Sequence, residues 1–149
     1  MQILWIVLLS KRRYDIHNRQ MFTTKTNLKF ICQDVHLFGD GTFQYCAKFF
    51  HQLYTLHAYK NGQYVPCMFF LLPCKSKECY VSMFKHLLDS CARYNLSLNV
   101  SYIHFYFEVA VHDAAKEFWP DVSIKACQFF YLSHAWYRKI QNLGLSPEY

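Results

Sequence analysis

Apolar positions along this chain change their spacing several times, and each change marks out an element. Phe38 to Phe43 reads as a first strand, with Gly39 and Gly41 allowing close backbone approach on either side of Asp40. Leu53 to Tyr59 alternates as a half-buried strand does, and Lys60-Asn61-Gly62 after it is a hairpin turn signal. Val65 to Leu72 is an almost unbroken apolar run, which predicts a strand covered on both faces. From Tyr80 the period lengthens: Tyr80, Met83, Phe84, Leu87, Leu88 and Cys91 fall along one face of a helix. Ser76 is placed to cap its start, Glu78 suits the positive end of its dipole, and Asn95 is a stop.

Val100 to Phe107 then reads as a strand, and Val109 to Phe118 as a helix ended by Trp119-Pro120. Ser123 to Phe129 is a fifth short strand, followed by a helix from about Leu132 to Leu143 with Gly144 at its end. Three strands with hairpin-like connections, then helix, strand, helix, strand, helix, is the order of an RNase H-like α/β domain: a mixed sheet flanked by helices. A right-handed crossover between the third and fourth strands sets the fourth beside the first. Asp40 and the Tyr106 to Glu108 end are then neighbours.

Composition narrows the class without choosing a function. A chain of 149 residues with 53% hydrophobic and 19% aromatic residues builds a core as one compact unit, and no repeat or linker divides it. The net charge of +6 suits a polyanion, but only Lys11-Arg12-Arg13 and Arg138-Lys139 are adjacent, so charge alone does not decide for nucleic acid. Seven cysteines without a C-x-x-C pair signal neither a disulfide framework nor a zinc ribbon. They read as reduced thiols, which points to a nuclear or other intracellular location. Looser sets, Cys32 with His36, Cys46 with His51 and Cys127 with His134, are the alternatives for zinc. Phe49, Phe50, Phe69, Phe70, Phe105, Phe107, Phe129 and Phe130 read as core rather than as base-stacking platforms.

The apolar run Gln2 to Leu9 is too short for a bilayer, which takes about 20 residues, so no membrane is expected. It reads either as a strand or as the result of a start codon inside a longer coding sequence, and the second is preferred. Residues 1–30 are accordingly taken as an N-terminal extension and 31–149 as the domain proper.

The segment from about Ile31 to Tyr149 carries an ordered series of blocks. They are Asp40-Gly41-Thr42-Phe43, Gln52-Leu53-Tyr54-Thr55-Leu56-His57-Ala58, Val65-Pro66, Leu71-Leu72-Pro73-Cys74-Lys75, Phe107-Glu108, and Ala126-Cys127 through Gly144-Leu145 to Tyr149. Together they resemble the transposase domain of Mutator-like elements, the MULE family. The resemblance implies a DDE transposase that cuts and joins duplex DNA with two Mg2+ or Mn2+ ions held by two aspartates and a glutamate. Two hard cations need several anionic oxygens around them to clamp the attacking and leaving oxygens of a phosphodiester.

Asp40 matches the first of those aspartates. The second belongs to an Asp-Phe-Glu motif, where this chain has Tyr106-Phe107-Glu108. A phenol, with a reference pKa of about 10, is neutral near pH 7 and a poor ligand for a hard metal. Strand alternation would put Glu108 on the same side as Tyr106, as a surrogate ligand. A Cys-x-x-His motif keeps Cys127 but has Phe130 in the histidine slot; His134, one helical turn on, is the nearest substitute. The family's last glutamate falls beyond the position equivalent to Tyr149, so the expected domain is incomplete at its C-terminus.

The preferred expectation is a degenerate MULE transposase domain without catalysis, with Asp40 the remnant of its triad and Asp40 and Glu108 its candidate metal ligands. One alternative is a DNA- or protein-binding module that kept the fold. The other is a nuclease rebuilt on Asp40, Glu108 and Asp113.

Overall fold

The computed structural model describes residues 20–42, 46–105 and 108–125. In chain order the described elements are β1 (Gln20–Thr23), α1 (Lys25–Ile31), β2 (His36–Thr42), β3 (Gln52–Lys60), β4 (Gln63–Leu72), α2 (Lys77–Arg93), β5 (Tyr102–Phe105), α3 (Val109–Phe118) and β6 (Ser123–Ile124). The strands form one sheet in the order β1-β4-β3-β2-β5-β6. From β1 to β2 the neighbours are antiparallel, whereas β2, β5 and β6 run parallel, so this is a mixed α/β sheet. The fourth predicted strand does return beside the first: β5 pairs with β2, Gly39 lying opposite Phe105.

Local chemistry explains the boundaries. Asn61 (φ 52) and Gly62 (φ 80) take the left-handed conformations that a tight β3–β4 hairpin requires. The Ser76 side chain accepts a hydrogen bond from the Cys79 amide and starts α2; Asn95, at φ 54, follows its last turn. Trp119, at φ -131 and ψ 80, leaves the helical conformation ahead of Pro120 and ends α3. Thr24 caps α1 by accepting from the Asn27 amide.

Side chains alternate across the sheet, and one face carries the core. Tyr54, Leu56 and Ala58 of β3, Phe70 and Leu72 of β4 and Ile103 and Phe105 of β5 are buried there against Leu28, Ile31, Met83, Phe84, Leu87, Val111 and Ala115 from the helices. Phe84 of α2 stacks on Phe105 with ring centroids 5.9 Å apart. All three described helices lie on this side.

That arrangement corrects two expectations. Among the described residues β4 is helix-covered on one face, not both: Phe69 is 36% exposed between buried Met68 and Phe70. The reason is that α1, α2 and α3 all return to the same side. Nor are the singled-out phenylalanines all core: Phe70 and Phe105 are, while Phe69 and Phe49 are exposed. The other face carries a chain of rings, in which His36 stacks on Tyr102 (centroids 4.6 Å), His104 on Phe38 (4.3 Å), and Phe38 meets Tyr64 edge-on (5.0 Å).

Two elements appear that the pattern did not predict, β1 and α1. β1 pairs with β4, and α1 buries Leu28 and Ile31. β5 begins at Tyr102, later than predicted, and Leu98 and Val100 are buried in the connection before it. Of the predicted strand Ser123 to Phe129 the described part is β6; its remainder and the predicted helix near Leu132 to Leu143 lie outside the described residues, as does Gln2 to Leu9. No helix among the described residues is long and apolar enough to cross a membrane.

Candidate functional site

Asp40 stands exposed on β2, in the middle of the sheet, paired with Thr55 across the antiparallel ladder to β3. Paired residues share a face, so its side chain projects with Thr55 and Phe38 on the side away from the helices. Its neighbours face the other way. A Cβ on Gly39 would lie 2.7 Å from the Phe105 ring and 2.8 Å from the Tyr54 hydroxyl, and one on Gly41 would lie 2.8 Å from Gln52 Oε1. Only glycine at these positions lets the helix-side layer approach the strand so closely.

Glu108 occupies a different setting. It is the residue before α3, in extended conformation (φ -126, ψ 109), not a strand residue, so alternation from position 106 does not orient it. Its Oε2 accepts a hydrogen bond from the Tyr80 hydroxyl at 3.0 Å and faces Lys75 Nζ at 3.9 Å. The Tyr80 hydroxyl in turn accepts from Gln52 Nε2 at 2.6 Å. A polar chain therefore runs from β3 through α2 to the start of α3, on the helix-covered side. Beside it the Tyr54 hydroxyl and Gln52 Oε1 are buried without a hydrogen-bond partner among the described residues.

Burial raises the Tyr80 hydroxyl pKa, with the Glu108 charge adding to it, so Tyr80 stays protonated and donates to Glu108. Tyr54 is raised well above its ordinary value, first by burial and then by Tyr80, Glu108 and Asp40. The charge of Asp40 reaches His57 as well, where it opposes the lowering that burial imposes. Asp113 lies exposed on α3, where its charge acts on Lys77. Among the described residues no group of three or more His, Cys, Asp or Glu side chains is arranged to hold a metal ion. Position 106 and the pairs involving Cys127, Phe130 and His134 lie outside the described residues.

Gln52, Tyr54 and Tyr80 were not singled out from the sequence as site residues. One signal was available: Gln52 shares the buried phase of Tyr54, Leu56 and Ala58, and a polar side chain in that phase needs a partner. Tyr80→Phe is expected to destabilise the domain by about 1–3 kcal/mol, because Gln52 Nε2 loses its acceptor and Glu108 its donor. Urea titration of both proteins measures the difference.

Residues 36–134 match the family model of the MULE transposase domain. The chain belongs to the MULE transposase family. The match begins at the first residue of β2 and extends past β6, so the MULE region includes the central strand with Asp40, the β3–β4 hairpin, α2, β5 and Glu108 at the start of α3. Neither the curated proteins nor the solved structures include a significant match. Within the MULE region the candidate acids Asp40 and Glu108 belong to opposite sides of the sheet, Asp40 on the open face and Glu108 among Tyr80, Gln52 and Lys75.

Proposed function

We propose that this transposon-derived MULE domain keeps an RNase H-like fold and has lost the metal-dependent DNA cleavage and strand transfer of its family. The strand order supports the fold: three antiparallel strands β4-β3-β2 continued by parallel β5 and β6, with α2 in the crossover from β4 to β5, which lies beside the central strand β2. The separation of Asp40 from Glu108 carries the loss of chemistry. A two-metal centre needs anionic oxygens converging from neighbouring positions. Here one carboxylate points to the open face, while the other is engaged by a tyrosine hydroxyl and a lysine on the covered face. Tyr106, in the slot of the family's second aspartate, adds no charge. Among the described residues, the carboxylates do not fit a pair of Mg2+ or Mn2+ ions. Asp113, on the helix side beside Lys77, does not join Asp40 either.

The purified chain is expected to leave supercoiled DNA intact with Mg2+ or Mn2+, at the background level of its Asp40→Ala variant. Reproducible nicking that this substitution abolishes overturns the proposal. The +6 charge favours a second reading, a DNA- or protein-binding module without catalysis. Retention of duplex DNA that weakens steeply with salt selects that module.

A further inference from the structure

Two of the cysteines meet. Cys32 Sγ and Cys91 Sγ lie 3.6 Å apart although the residues are 59 positions apart in sequence. Cys32 is the C-terminal cap of α1 and Cys91 belongs to the last turn of α2. Both backbones are anchored: the Cys32 amide donates to Leu28 O at 3.1 Å, and the Cys91 carbonyl accepts from the Tyr94 and Leu96 amides at 3.0 Å each. Lys25 of α1 sits over the Tyr94 ring at 5.2 Å, so the helices are neighbours here independently of the sulfurs. Forming an S–S bond of about 2.05 Å requires the sulfurs to close by about 1.5 Å.

We propose that Cys32 and Cys91 are a redox-responsive dithiol that a peroxide converts into an intramolecular disulfide clamping α1 to α2. Cys91 is 1% exposed and Cys32 half-buried, so Cys32 is the sulfur an oxidant meets first. Its thiolate attacks the peroxide O–O bond, giving a sulfenic acid and releasing hydroxide. Cys91 then attacks the Cys32 sulfur, the S–O bond breaks, and the departing hydroxide takes up the proton that Cys91 gives up. Overall two thiols and one hydrogen peroxide become one disulfide and two waters: the sulfur pair loses two electrons and the peroxide gains them. Burial raises both thiol pKa values, that of Cys91 to about 12, so little thiolate is present near neutral pH and the pair reacts slowly.

The test treats the folded full chain with hydrogen peroxide, blocks remaining thiols with maleimide and maps peptides without reduction. The expected result is a Cys32–Cys91 linked peptide, reversed by dithiothreitol, with a melting temperature raised by about 5–10 °C as a long loop is closed. Cys32→Ser abolishes both the linked peptide and the shift. In Cys91→Ala, Cys32 is instead trapped by dimedone as the sulfenic acid. Indiscriminate pairing with Cys46, Cys67, Cys74 or Cys79, or oxidation of Cys32 to sulfinic acid with Cys91 still a thiol, overturns the proposal.

Discussion

Phe84→Ala is expected to lower the unfolding free energy by about 3–5 kcal/mol, the usual range for emptying a buried aromatic site. Phe84 is fully buried and joins three elements. Its ring stacks on Phe105 of β5 at 5.9 Å, meets Phe118 of α3 at 6.0 Å, and meets Trp119 at 5.5 Å. Those partners are held from other sides: Trp119 Nε1 donates to Leu98 O, and Phe105 pairs with Gly39 in the sheet. The vacated volume therefore cannot collapse easily. Small domains unfold with about 5–15 kcal/mol, so such a loss takes much of the total. Urea unfolding of both proteins, with unchanged m-value, gives the figure; a loss below about 1.5 kcal/mol would show that the α2–β5–α3 junction repacks.

Gly39→Ala is expected to destabilise the domain by about 1–3 kcal/mol, through overpacking rather than lost contact. The new methyl would lie 2.7 Å from two carbons of the Phe105 ring and 2.8 Å from the Tyr54 hydroxyl, and those side chains are 0% and 1% exposed. β2 is paired on both edges, so neither it nor the rings behind it have room to retreat. Gly62→Ala is the control. Nothing lies within 4 Å of its added Cβ, and its penalty comes from φ +80 alone, about 1 kcal/mol. In Gly39→Ala the loss should shrink when Phe105 is trimmed to leucine. In Gly62→Ala it should not. Equal behaviour of the two variants contradicts the steric argument.

How far the fold was legible depended on how many residues carried each signal. Six positions marked α2, and five of them, Tyr80, Met83, Phe84, Leu87 and Cys91, are buried, with Leu88 at the margin. The β3–β4 hairpin rested on Asn61-Gly62, whose left-handed conformations few other residues accept. β1 and α1 span four and seven residues, too few for a period of 2 or 3.6 to stand out. The apolar run of β4 was misleading because apolar composition does not reveal which face the helices will take; Phe69 is as apolar as buried Phe70. At the site, Asp40 and its flanking glycines were visible as a local pattern. The bond from Tyr80 to Glu108 was not, since it links residues 28 positions apart whose meeting depends on how α2 crosses the sheet.

The parallel pairing of β2 with β5 has a consequence for biosynthesis. At about 5–20 residues per second, a ribosome emits Phe105 roughly 3–13 s after Gly39, its partner in the ladder. The β2–β3–β4 meander can zip up on its own within microseconds of leaving the exit tunnel, but it then waits with the inner edge of β2 open. That interval is when a nascent chain of this kind is most exposed to pairing with the wrong strand.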